Sequence, residues 1–173
     1  MDLLFLIGWL MLLLVLHEMG HLLYAMLNGF TIEGLKFDFK PFPRLYVEII
    51  DRNITALQRT FYLLSGSWVT FILFAVFLLS GWNNPVLLDA FVLEIISETN
   101  PFMSDYQSIL FRVVCRKQIR DIVVDPQCIQ KEEAIQLLFK EDFLGGKYWF
   151  IHFFIWAALV IFLLANVFVK LNA

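Results

Sequence analysis

The chain has 173 residues, of which 60% are hydrophobic, 17% aromatic and only 17% charged. Soluble domains average about 45–50% apolar and about 25% charged residues, so this composition excludes a water-facing globule and predicts an integral membrane protein. A net charge of −3 offers no basic surplus for nucleic acid, and two cysteines, Cys115 and Cys128, cannot build a disulfide framework.

In chain order, Leu3 to Leu27 reads as a membrane helix, longer than the roughly 20 residues needed to cross a bilayer. It lacks a basic leader and a small-residue cleavage site, so it reads as a span rather than a signal peptide. Asn28-Gly29 is a helix stop. Apolar and charged residues then alternate from Leu35 to Phe39 and again at Leu45, Val47 and Ile49, on either side of Pro41-Phe42-Pro43. This period of two predicts a small β-hairpin at the membrane surface. Phe61 to Trp82 is the second span and Val86 to about Ile109 the third, the latter interrupted by Asp89, Glu94, Glu98 and Asp105. If that helix were continuous, Glu94, Glu98 and Asp105 would share one face, but Asn100-Pro101 should kink or unwind it. Beyond it, Arg112, Arg116 and Arg120 recur every four residues, predicting a helical stripe against anionic headgroups. Asp125-Pro126 would cap a short helix that ends before Gly145-Gly146, and Tyr148 to Val169 is the last span.

The predicted fold is an all-α membrane protein, a single domain over residues 1–173, with four transmembrane helices at about 3–27, 61–82, 86–109 and 148–169. A small β-hairpin separates the first two. Five Lys or Arg lie in 28–60 and seven in 110–147, leaving only Lys170 elsewhere. The positive-inside rule therefore makes both segments cytoplasmic and puts both termini outside. Cys115 and Cys128 then face a reducing compartment and read as inert thiols.

The first span contains His17-Glu18-Met19-Gly20-His21, an H-E-x-x-H motif. Positions i and i+4 share a helix face, so both imidazoles can meet one metal while the glutamate reaches a water beside it; the spacing suits zinc. The competing explanation is a polar cluster that glues helices together, which does not require this spacing. An ionised side chain deep in a span costs about 2.5–3.5 kcal/mol on insertion scales, so Glu18 between two histidines is no lipid-facing decoration. His17 lies about 21 Å along the helix from Leu3, within the membrane but displaced toward the cytoplasm.

A catalytic zinc takes three protein ligands, so one more should come from another element at similar depth, and Asp105 is a candidate. Glu94 and Glu98 either line a water path or are neutralised in a helix interface. His152 reads as an interfacial histidine, and Gly66, between two serines, as a point of close helix contact.

The motif at 17–21, followed two spans later by Asn100-Pro101-Phe102-Met103-Ser104-Asp105, resembles the site-2 protease family of intramembrane zinc metalloproteases (peptidase family M50). The resemblance implies that His17, His21 and Asp105 bind Zn2+, that Glu18 is the catalytic base, and that Asn100 and Pro101 shape an unwound segment and help to hold substrate. It implies as substrate a membrane-anchored protein or peptide precursor, with the hairpin offering an edge for a substrate strand. Where that family often has Gly-Pro and an Asn in its second core span, this chain has Ser65-Gly66-Ser67-Trp68-Val69-Thr70. No regulatory domain fits in the remaining length, so control would come from a membrane partner or from 110–147.

The expected function is thus an intramembrane zinc endopeptidase in a bacterial-type plasma membrane. One alternative is a catalytically inactive pseudoprotease serving as a membrane peptide-binding or scaffold subunit. Another is a zinc carrier, for which the apolar outer half of the first span offers no polar path.

Overall fold

Among the described residues, three helices are long and apolar enough to cross a bilayer: Leu3–Leu27, Ala56–Leu79 and Lys147–Ala165. They belong to a computed structural model that describes residues 2–38, 44–50, 54–102, 104–124 and 130–171. Its elements run α1 (Asp2–Leu27), β1 (Thr31–Asp38), β2 (Arg44–Ile50), α2 (Ala56–Leu79), α3 (Pro85–Glu98), α4 (Asp105–Val114), α5 (Arg116–Val124), α6 (Lys131–Leu138), a π-helical turn (Phe139–Phe143) and α7 (Lys147–Leu171). The Pro41-Phe42-Pro43 turn, the Asp125-Pro126 cap and Cys128 lie outside the described residues.

The helix over 86–109 is divided at the break expected from Asn100-Pro101. α3 has 14 residues and stops at Glu98, and a new helix starts at Asp105. Pro101 has no N–H to continue the ladder and disfavours helical backbone at Asn100, so the chain unwinds between them. Glu94 and Glu98 therefore do not share one helix face with Asp105. The Arg112, Arg116 and Arg120 stripe is interrupted as well, because α4 ends at Val114 and the backbone of its cap residue, Cys115, departs from helical values.

The chain divides into two compact units, Met1–Glu98 and Thr99–Ala173. In the first, α1 packs against α2 and α3 around Leu13, Phe77, Leu87, Ala90 and Phe91, with Trp9, Leu10 and Phe74 at the edges. α1 ends in a Schellman motif. Gly29 takes φ +66°, and the Phe30 N–H returns 2.9 Å to the Ala25 carbonyl. α2 starts five residues before the predicted span because Thr55 and Gln58 form a capping box. The hairpin is antiparallel, with Leu35 opposite Val47 and an irregularity between Ile32 and Gly34.

In the second unit, Phe111, Cys115, Leu138 and Phe143 form a core flanked by Ile119, Phe139 and Trp149. The π turn closes on Leu144, and Gly145 takes φ +80°, so this helical segment ends before Gly145-Gly146 as expected. Phe154, Ile155, Ile161 and Phe162 along α7 stay exposed, the surface expected of a helix that faces acyl chains.

Candidate metal centre

His17, Glu18 and His21 sit on the buried side of α1. Two glycines let α2 approach them closely. A Cβ on Gly20 would lie 2.5 Å from the Ser65 carbonyl oxygen, so only glycine fits against that turn of α2. A Cβ on Gly66 would lie 2.5 Å from the Nε2 atoms of both His17 and His21, so the space over the imidazoles exists because Gly66 has no side chain. Close contact at Gly66 was legible as packing; its position over the histidines was not.

The two Nε2 atoms are 3.1 Å apart. Each ring is held from behind. His17 Nδ1 is 2.7 Å from Glu98 Oε1, and His21 Nδ1 is 2.7 Å from the Tyr62 carbonyl oxygen, which also accepts the Ser65 hydroxyl at 2.6 Å. A carbonyl can only accept, and a carboxylate accepts by preference, so both rings are assigned a proton on Nδ1. Both Nε2 lone pairs then face one another, an arrangement that asks for a cation between them. Zinc–nitrogen bonds of about 2.0–2.1 Å give a tetrahedral edge of about 3.3–3.4 Å, close to the observed separation. The residues fit the ion.

The charge balance points the same way. Glu18, Glu94 and Glu98 are all buried in this unit, and no Lys or Arg is among the buried residues described. One ligand atom from each of His17, Glu94 and Glu98 falls within 4.8 Å of the others, a second group able to hold a cation. Carboxylates taken out of water need compensation, which a divalent ion supplies.

Glu18 is fixed by the hairpin. The Val47 N–H donates to Glu18 Oε2 at 3.2 Å, and the Tyr62 hydroxyl donates to the Val47 carbonyl at 2.7 Å. One strand residue thus bridges the glutamate of α1 and the tyrosine of α2. The same Tyr62 receives His21 on its own carbonyl.

The other expected site residues belong to the second unit. Asn100 Oδ1 accepts the Phe102 N–H at 2.9 Å and closes a turn, Pro101 is fully buried, and the Ser104 hydroxyl bonds back to the Asn100 carbonyl. Ser104 also caps α4, placing Asp105 in the first turn of that helix. The carbonyls released by unwinding find donors on α7. Trp149 Nε1 donates to Pro101 at 2.9 Å, and His152 Nε2 donates to Thr99 at 3.0 Å. Buried backbone that leaves a helix needs such partners, and His152, read from sequence as interfacial, supplies one of them. Thr70, Tyr62 and Trp149 carried no signal in the sequence, because each works through a partner far away in the chain.

No protein-family profile, curated protein sequence or solved structure matches this chain.

Proposed function

We propose that the chain is an intramembrane zinc endopeptidase of the site-2 protease type, hydrolysing a peptide bond in a membrane-anchored protein or peptide precursor. The observation that supports this best is the pair of Nε2 atoms 3.1 Å apart, their rings held at Nδ1, beside a buried glutamate one residue along the same helix. His17 and His21 hold the zinc, and Asp105, taken from the resemblance, is the third ligand. From its apolar sequence, 86–109 is a fourth crossing, and 28–60 and 110–147 lie in the cytoplasm.

Bound zinc would supply Lewis acidity, acidifying water and polarising a carbonyl. The protein's own residues do the rest. Glu18 accepts the proton of the attacking water and returns it to the leaving amine, its carboxylate oriented by the Val47 N–H. At Val47 the outer edge of β2 is taken by Glu18 and Tyr62, so β1 offers the edge for an extended substrate segment. Asn100 and Pro101 shape the segment that presents Asp105 and contact substrate.

Glu18→Gln tests the reading. The amide oxygen still accepts from Val47, so fold and zinc content should persist while cleavage of a membrane-anchored reporter stops. Continued turnover by this variant would sink the protease assignment.

A further inference from the structure

Glu98 stands at the last turn of α3, where the helix dipole disfavours a carboxylate, and only 8% of it is exposed. Such a placement is costly unless donors converge on it. Two do, and on the same oxygen. His17 Nδ1 lies 2.7 Å from Oε1, and the Thr70 hydroxyl, itself 1% exposed on α2, donates to Oε1 at 2.5 Å. Three helices each contribute one member: α1 the imidazole, α2 the hydroxyl, α3 the carboxylate. Oε1, which receives two hydrogen bonds, is arranged as an acceptor, while Oε2, buried and without a hydrogen-bond partner among the described residues, is the atom through which direct ligation would go.

Resting on the zinc protease reading above, we propose that Glu98, seated by Thr70, is the positioning residue of this centre: it fixes the His17 ring with Nδ1 protonated and Nε2 aimed at the metal, and so sets zinc affinity. The chemistry is general. A carboxylate behind a ligating imidazole orients the ring and raises its basicity, and losing such a partner costs about 10–100-fold in metal affinity. The groups described behind His21, the Tyr62 carbonyl at 2.7 Å and the Ser65 hydroxyl at 3.3 Å, are neutral, whereas His17 has a carboxylate, so His17 is the stronger ligand of the pair.

The test is zinc affinity of the full-length protein in detergent, read by competition with a chromophoric chelator, with thermal unfolding of the zinc-free protein alongside. Glu98→Gln keeps shape and an acceptor but loses charge and should weaken binding about 10-fold; Glu98→Ala should approach 100-fold. Thr70→Val should weaken binding in the same direction, and Thr70→Ser should restore it, with zinc-free melting unchanged in the Gln, Val and Ser variants. Wild-type affinity in Glu98→Gln, Glu98→Ala and Thr70→Val would overturn the positioning role and leave the protease reading standing. A second equivalent of zinc, lost in the Glu98 variants, would overturn it in favour of direct ligation. Loss of affinity only in variants whose zinc-free form has unfolded would reduce Glu98 to packing and overturn it too. If the wild-type protein binds no more zinc than His17→Ala, the reading beneath the proposal fails instead.

Discussion

In the first unit, three helices enclose two histidines, three glutamates and a threonine among leucines and phenylalanines. In the second, the core is Phe111, Cys115, Leu138 and Phe143, and its buried polar residues, Ser104 and Gln107, serve the turn that begins α4. Both units are built from similarly apolar sequence, yet one buries groups that water would otherwise hold and the other buries what water rejects. In the first, the polar groups are tied to one another by side-chain and backbone bonds; in the second, Phe111 packs edge-on against the stacked pair Phe139 and Phe143. Mutations should therefore divide into those that silence the protein and those that loosen it.

The largest effect should come from Gly66→Ala. Alanine is favoured over glycine inside a helix by about 1 kcal/mol, so propensity alone would stabilise α2. Its Cβ would instead meet both Nε2 atoms, and cleavage and zinc affinity should each fall by at least about 100-fold. An active, zinc-loaded Gly66→Ala protein would erase the contrast between the units.

Phe143→Ala should behave in the opposite way, lowering unfolding stability by about 3–5 kcal/mol through a cavity in the second core while the folded fraction still loads zinc. Calorimetry and metal analysis on the same sample check both halves. Trp149→Phe is intermediate. It removes the donor to the Pro101 carbonyl and should lower unfolding stability by about 1–3 kcal/mol.

The smallest effect belongs to the hairpin, where Lys36 and Glu48 pair at the surface. The lysine holds the Glu48 carboxyl below its ordinary value of 4.5, and Glu48 raises Lys36 above 10.5. Because Glu48 is depressed in the fold, its contribution is present at neutral pH and is lost as pH falls through its folded value. Because Lys36 is raised, its contribution is lost as pH rises past its folded value. Hydrogen-exchange protection of β1 and β2 should dip slightly at both extremes, and less at high salt, which screens an exposed pair. A flat profile would show that the pair adds nothing.

Much of this was legible because it is local. The i, i+4 spacing put His17 and His21 on one face, alternation marked the hairpin, and Asn100-Pro101 announced a break. The same proline shows where local reading stops. The break was expected, but a 14-residue helix ending at Glu98, rather than a kinked span to 109, depends on packing that no single window contains. Glu98 meets a histidine 81 residues earlier, and His21 and Trp149 bond to backbone carbonyls, acceptors that every residue possesses. Such partners leave no pattern in composition or period.

The most direct measurement of the central claim is the zinc content of detergent-purified protein beside that of the His17→Ala, His21→Ala double variant. The metalloprotease account predicts equimolar zinc in the wild-type chain and background levels in the variant. Metal-free wild-type protein after equilibration with buffered zinc, or equal zinc in both, would contradict it.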